Sequence, residues 1–243
     1  MIKNGKITLR QFMAVAFIGL LSPIIRLLPS APVKLAMVGA WVSAIVAVVP
    51  VILYAIFIKE FIKNRQDNEG MGDMIIRSVG PVIGKIFLVL FGIWIVLYIS
   101  FTLRTAAERL VSAVYEEGQI TIFVLVTLVA SAVAAAGEID AFGRTAEVFA
   151  PILGGVLVVI LVFGAADVKL ENLLPVTYLD SGKIALGTLP VVEVFGAFTY
   201  FLFLLGNVEN GTSKEKCKAY KWLAAALLAV IGITVTTVGT LSA

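Results

Sequence analysis

The chain contains no histidine and only one cysteine, Cys217, among its 243 residues. Without histidine, the common zinc, haem and histidine-based catalytic centres are excluded, and a lone cysteine excludes an internal disulfide framework. Charge is also scarce, because Asp, Glu, Lys and Arg together make up 14% of the sequence. These absences argue against an enzyme and against an ordinary soluble domain, and they predict no cofactor.

Hydrophobic residues make up 60% of the sequence, and its mean hydropathy is +1.04. Apolar runs recur that are long enough to cross a hydrocarbon core of about 30 Å. Within lipid a backbone must satisfy its own hydrogen bonds, so these runs should be helices. The sequence therefore predicts an all-α polytopic membrane protein, a single transmembrane domain over residues 1–243 embedded in a lipid bilayer.

Seven apolar segments are predicted to span the membrane. They cover residues 12–28, 33–58, 83–103, 120–136, 148–165, 184–206 and 219–241. Pro50 is expected to kink the second of them, because proline lacks the amide hydrogen that a helix interior needs. Residues 72–80, GDMIIRSVG, fit either an amphipathic helix on the membrane surface or a solvated loop.

The lysines and arginines lie unevenly in the loops between these segments. Thirteen fall on the side of the N-terminus and six on the other side. Since cytoplasmic loops carry the excess of basic residues, the N-terminus is predicted to be cytoplasmic and, with seven spans, the C-terminus outside. The basic residues are scattered rather than clustered on one face, which argues against a nucleic-acid partner.

The first span carries an unusual stretch, GLLSPIIRLLP, at residues 19–29. Pro23 has no amide hydrogen for the carbonyl of Gly19, and Gly19 itself weakens a helix by about 1 kcal/mol relative to alanine. Freed backbone groups in a membrane are tolerated where protein, water or a ligand satisfies them. Two interpretations stay open, a simple kink packed against a neighbour and a break that forms a substrate site.

The sixth span, KIALGTLPVVEVFGAFTYFLFLLGN, has similar features. Pro190 frees the carbonyl of Leu186, and Gly196 follows six residues later. Glu193 lies near the middle, where an ionised carboxylate costs several kcal/mol unless it faces a cavity or a partner. Glu193 is either functional or a protonated contact between helices.

The two weakened spans, the first and the sixth, stand five positions apart. Such spacing is typical of an inverted repeat of five plus five helices in which each repeat begins with a broken helix. Residues 1–165 would form the first repeat, and residues 166–243 would begin the second with only two spans. The last segment ends without charged or aromatic anchors, so we expect a C-terminally truncated chain of about seven spans.

Several segments, in order, resemble the spore germination permeases, which are the B subunits of nutrient germinant receptors within the amino acid, polyamine and organocation transporter superfamily. The similar segments are KITLRQFMAVAFIGLLSPIIRLLP, SFTLRTAAERLV, GRTAEVFAPI, ENLLPV and VFGAF. The resemblance implies about ten spans, broken first and sixth helices, and a small germinant, typically an amino acid, held between them. It also implies two partners, an A-type membrane subunit and a C-type lipoprotein.

Carried over by position, the resemblance places the ligand against three spans. The residues are Gly19, Leu20, Leu21 and Ser22 on the first span, Tyr98 on the third, and Gly196, Ala197 and Phe198 on the sixth. Relatives often have an acidic residue where this chain has Ala197. Glu193, singled out above by its depth in the membrane, is added to the candidate ligand-binding residues, and neither a catalytic residue nor a metal site is predicted.

The leading hypothesis is a germinant-receptor subunit in the inner spore membrane or bacterial cell membrane, which binds a small molecule and does not transform it. The alternatives are a secondary amino acid transporter of the same fold and a truncated copy without function. A seven-helix receptor or retinal protein fits the span count, but the seventh span has no buried lysine for a Schiff base, only Lys221 at its start.

Overall fold

A computed structural model describes residues 5–63, 65–66, 69–114, 119–174, 176–177, 180–209 and 213–240. The side chains of residues 113, 114 and 213–220 lie outside this description, and that includes Cys217. Throughout the described ranges the regular structure is helical, with one isolated backbone bridge between Ile7 and Val208. The prediction of an all-α fold is confirmed.

Each of the seven predicted segments is helical. Single helices form five of them: α1 (Leu9–Leu27), α6 (Pro81–Val114), α7 (Ile120–Ala136), α8 (Ile139–Ala166) and α11 (Ser213–Thr240). The second segment contains α2 (Ala31–Ala36), a 3-10 turn (Met37–Gly39), α3 (Ala40–Val46) and α4 (Val48–Lys63). The sixth contains α9 (Ser181–Gly196), α10 (Phe198–Leu202) and a 3-10 turn (Phe203–Asn207). Six of the segments are long and apolar enough to cross a membrane, and α7 is shorter, so the chain is an integral membrane protein.

Helix α1 begins at a capping box and runs without interruption. The Thr8 hydroxyl accepts a hydrogen bond from the Gln11 amide at 3.3 Å, while the Gln11 side chain accepts one from the Thr8 amide at 2.9 Å. The helix continues across Pro23 to Leu27. The expected break in the first span is therefore absent, because a proline removes one hydrogen bond and the surrounding packing holds the neighbouring turns in place.

The second span is interrupted twice. Helix α3 ends at Val46, whose carbonyl would have paired with the amide hydrogen that Pro50 lacks. The helix is therefore interrupted one turn before the proline that was predicted to kink it. At the first interruption Met37 has a φ of 49°, a left-handed conformation that is uncommon for a residue other than glycine.

The sixth span changes helix type without unwinding. After Gly196 the amide of Ala197 donates to the carbonyls of both Glu193, at 3.2 Å, and Val194, at 3.3 Å. The chain then continues as α10 and a 3-10 turn. The break predicted in this span is thus a local irregularity, since the bifurcated hydrogen bond bridges it.

Residues 72–80 form most of a short helix, α5 (Met71–Val79), so the helical alternative is the correct one. Met74 and Ile75 are buried, and α5 packs against α6. At Gly84 an added Cβ would lie 2.8 Å from the Cα of Ile76. Glycine at that position allows the two helices to approach closely.

The core forms around α1, which packs against α8, α11 and the sixth span. Ile24 and Leu28 are fully buried there. Outward faces of α6, α7 and α8 expose large apolar side chains, which suits helices whose outer surface is in lipid.

Helix α9 packs tightly against α2 and α3 through small residues. A Cβ on Gly187 would lie 2.6 Å from the Ser43 hydroxyl oxygen and 2.8 Å from the Ala36 methyl carbon. The Ser43 hydroxyl donates to the Ile184 carbonyl at 2.9 Å. The Thr188 hydroxyl donates to the same carbonyl at 2.9 Å and lies 3.3 Å from the Ser43 carbonyl. Small side chains and satisfied polar groups make this a closed interface.

Candidate functional site

The first contact that shapes the candidate site joins α1 to the sixth span. Gly19 lies against the ring of Phe201, and a Cβ at this position would lie 2.8 Å from Cε2 of that ring and closer still to Cζ. Glycine is therefore needed for the close approach. This fixes the depth of Gly19 on α1 at the level of Phe201 on α10.

The second contact is an aromatic cluster between α6 and α10. The rings of Tyr98 and Tyr200 lie 5.2 Å apart, and Phe91 lies 5.9 Å from Tyr200. The indole nitrogen of Trp94 donates to the Tyr200 hydroxyl at 3.2 Å. Positions 91, 94 and 98 follow the three- and four-residue spacing of one helix face, which explains why all three reach the same tyrosine.

The third contact joins the C-terminal end of α1 to α6. Nη1 of Arg26 donates to the Thr105 hydroxyl at 2.8 Å, and Nη2 of Arg109 donates to the carbonyl of Arg26 at 2.9 Å. Nε of Arg26 and the hydroxyl of Thr102 are buried without a hydrogen-bond partner. Arg109 lies at the C-terminal end of α1, where orphan carbonyls and the helix dipole favour a cation.

Arg26 and Glu193 lie equally far along their spans from the contacts of Gly19 and Tyr200. Gly19 and Tyr98 share a level through Phe201 and its neighbour Tyr200. Seven residues after Gly19 and Tyr98, about 10 Å along each helix axis, lie Arg26 on α1 and Thr105 on α6. The hydrogen bond between Arg26 and Thr105 confirms that these two helices stay aligned. In the same direction along the sixth span, which here means towards lower residue numbers, Glu193 lies seven residues from Tyr200.

The surfaces between these contacts are open. Ser22 lies one helical turn from Arg26 and is exposed. Along the sixth span Leu189 and Glu193 are exposed, and a Cβ on Gly196 would meet nothing within 4 Å. We call this surface the open groove; it is bordered by Gly19, Ser22 and Arg26 on α1, Tyr98 and Thr105 on α6, and Glu193, Gly196 and Tyr200 on the sixth span.

The open groove is bordered by one basic and one acidic side chain, those of Arg26 and Glu193. Among the described residues, neither Arg26 nor Glu193 pairs with a side chain of opposite charge. An ionisable group within a membrane span requires a partner or a wet cavity. The aromatic rings of Tyr98 and Tyr200 add an apolar surface at one end. Nothing in this arrangement provides a nucleophile beside a base, and the described residues include no group of acidic or cysteine side chains suited to hold a metal ion.

The other predicted ligand-binding residues lie elsewhere. Leu21 and Ala197 are buried in the core. Leu20 and Phe198 border a separate cavity of about 530 Å³ between α1, α4, the sixth span and α11. Of the nine predicted residues, the open groove thus brings together Gly19, Ser22, Tyr98, Glu193 and Gly196.

Three groove residues were missed from the sequence: Arg26, Thr105 and Tyr200. Arg26 lies near the end of its predicted span, a position typical of an anchor at the membrane interface. Its position seven residues after Gly19, on the same helix face, was the signal that could have included it. Tyr200 stands seven residues after Glu193 and offered the same signal on the sixth span.

Comparison with known proteins agrees with the resemblance noted in the sequence. A family model described as spore germination protein matches residues 6–243, which is nearly the whole chain. No curated protein and no solved structure matches the chain.

Proposed function

The chain belongs to the spore germination protein family, whose members are permeases, and from that premise we propose that it binds a small amino acid germinant in the open groove. A germination-related, permease-like role follows from the family. In the proposal the chain is the permease-like subunit of a nutrient germinant receptor. It acts with an A-type membrane subunit and a C-type lipoprotein, in the inner spore membrane or the cell membrane, with its N-terminus in the cytoplasm and its C-terminus outside.

One observation carries the choice of ligand class. Arg26 on α1 and Glu193 on the sixth span each lie seven residues from the contacts of Gly19 and Tyr200, and neither has an ionic partner among the described residues. A zwitterionic amino acid offers a carboxylate to the first and an ammonium group to the second. Charge-assisted hydrogen bonds of this kind are about twice as strong as neutral ones. The ligand's side chain would extend towards Tyr98 and Tyr200.

The proposal is a binding function without chemical transformation. Arg26 is held by the Thr105 hydroxyl, and Arg109 caps the end of α1 beside it. The Thr105 contact fixes the guanidinium and the Arg109 contact fixes the backbone of Arg26 before a ligand arrives, which lowers the entropic cost of binding. Occupation of the groove would link α6 to α1 and the sixth span, and a ligand that favours the linked arrangement shifts the population towards it.

Germination of spores with single substitutions tests the proposal. Spores with Glu193→Gln or Arg26→Gln are exposed to a panel of amino acids and sugars, with loss of refractility as the readout. We expect the half-maximal concentration of the active amino acid to rise by roughly 10- to 100-fold, the cost of leaving one charge of the bound ligand unpaired. Glu138→Gln, a change outside the groove, is the control, and immunoblots of spore membranes verify equal protein levels.

Two results would contradict the proposal. Unchanged responses of both variants to every nutrient would exclude the open groove as the germinant site. Accumulation of an amino acid in proteoliposomes by the wild-type chain, with no germination phenotype in spores that lack the gene, would favour a secondary transporter instead.

A further inference from the structure

The cavity of about 530 Å³ is separate from the open groove and has a different character. Along α4 it is bordered from Val51 to Lys63, a distance of about 18 Å at the rise of an α-helix. The cavity is therefore elongated, and we call it the tube. Its length suits an extended chain better than a compact ligand.

The inner part of the tube is apolar. Phe12, Phe17 and Leu20 of α1 border it together with Phe195, Phe198 and Trp222. The rings of Phe17 and Trp222 lie 4.9 Å apart, and those of Phe12 and Phe198 lie 6.2 Å apart. The Tyr54 hydroxyl is already paired with the Thr199 hydroxyl at 2.5 Å. An occupant of this part would therefore need little or no hydrogen bonding.

Charge is confined to one end of the tube. Lys59, Lys63, Arg65 and Glu209 border the cavity there. Lys63 pairs with Glu60 at 3.3 Å, whereas Lys59 has no acidic partner among the described residues. Arg65 uses Nη2 for the Val208 carbonyl at 2.9 Å and keeps further donors. This end therefore has spare capacity to bind an anion.

We infer that the cavity is a site for an anionic membrane lipid, with one acyl chain in the apolar tube and the phosphate of the headgroup at Lys59 and Arg65. The charged end stands at the end of a membrane-spanning segment, where lipid headgroups lie. Basic side chains at that level attract anionic lipids. The inference is independent of the proposed germinant site, because the two sites lie on different faces of α1 and the sixth span.

Quenching of Trp222 fluorescence by brominated lipids tests the inference in the full chain. A background with Trp41→Phe and Trp94→Phe leaves Trp222 as the only tryptophan. The protein is reconstituted in phosphatidylcholine vesicles that contain a small fraction of acyl-brominated phosphatidylglycerol or, for comparison, acyl-brominated phosphatidylcholine. We expect quenching at a brominated phosphatidylglycerol fraction roughly tenfold lower than for phosphatidylcholine.

Matched variants locate the bound lipid. Ala55→Phe fills the tube and should abolish the preferential quenching, whereas Leu53→Phe, two residues away on the exposed side of α4, should keep it. The double variant Lys59→Gln with Arg65→Gln should lose most of the preference for phosphatidylglycerol. Lys85→Gln, an exposed basic residue outside the cavity, should not change it.

Two outcomes overturn the inference. Equal quenching by the two brominated phospholipids would mean that the cavity does not select an anionic lipid. Quenching by a brominated fatty acid in phosphatidylcholine vesicles, without a preference for phosphatidylglycerol, would identify a free carboxylic acid as the occupant.

Discussion

On one face of α9, Gly187 and Thr188 pack against Ser43, and every polar group of that contact has a partner. On the opposite face, Leu189, Glu193 and Gly196 lie in the open groove. Both faces bring polar atoms into a membrane span, yet among the described residues only the first face satisfies them. The closed face holds helices together, and the open face keeps capacity to bind something else.

The largest expected effect comes from adding bulk to the closed face. Gly187→Leu would force a side chain into Ser43 and Ala36, and such overpacking should destabilise the protein by about 3 kcal/mol. Gly196→Leu adds the same bulk to the open face, where there is room, and should leave stability unchanged. Thermal unfolding of both variants in detergent provides the measurement. Equal unfolding temperatures would remove the distinction between the two faces.

A smaller effect on stability is expected at Gly19, which borders the open groove and contacts Phe201. Gly19→Ala places a methyl group against the ring of Phe201 and should cost about 2 kcal/mol of unfolding free energy, because the ring must shift. Adding Phe201→Leu should restore part of the loss by making space. If the double variant is no more stable than Gly19→Ala alone, the contact between α1 and α10 does not set their spacing.

Two serine-to-alanine substitutions compare the closed face with the open groove, because each removes one hydroxyl. Ser43→Ala leaves the half-buried Ile184 carbonyl with one donor fewer and should cost about 1 kcal/mol. Ser22→Ala, in the open groove, should stay within about 0.5 kcal/mol of wild type. Denaturant or thermal unfolding measures both. Comparable losses in the two variants would mean that Ser22 has a partner in the folded state.

The smallest expected effect is on the pH dependence of stability, and it involves Asp180 at the start of α9, the helix that carries both faces. Hydrogen bonds from the Thr177 amide at 3.1 Å and hydroxyl at 2.9 Å lower the pKa of the Asp180 carboxyl. A lowered folded-state pKa means that this stabilisation is present above the unfolded-state pKa and is lost as the pH falls through the folded-state pKa. Below about pH 4 the unfolding temperature of wild type should therefore fall slightly more than that of Asp180→Asn. Parallel curves for the two proteins would contradict this.

Much of the fold followed from hydropathy. All seven apolar segments are helical, and the bounds of α7 match the predicted residues 120–136. Hydropathy reports where a helix is possible, and in a membrane the backbone has few alternatives. The effect of proline was harder to predict: Pro23 lies inside a continuous helix, while Pro50 accompanies an interruption. Whether a missing hydrogen bond breaks a helix depends on packing from distant segments, which a local pattern does not contain.

The candidate site was only partly predictable, for a related reason. Glu193 stood out because a carboxylate is rare in the middle of a span. Arg26 is near the end of its span, and its role as a possible partner depends on the alignment of α1, α6 and the sixth span. That alignment is set by contacts such as those of Gly19 with Phe201 and Tyr98 with Tyr200, which join residues far apart in the sequence. The division into residues 1–165 and 166–243 as two repeats stays a prediction.

The most direct test of the open groove compares an active amino acid with its analogue that lacks the amino group. In wild-type spores the half-maximal concentration should be roughly 100-fold higher for the analogue, because the Glu193 carboxylate loses its ionic partner. In spores with Glu193→Gln that ratio should fall to near one. A ratio that stays unchanged in the variant would show that Glu193 does not bind the ammonium group, and the account of the open groove as a zwitterion site would be wrong.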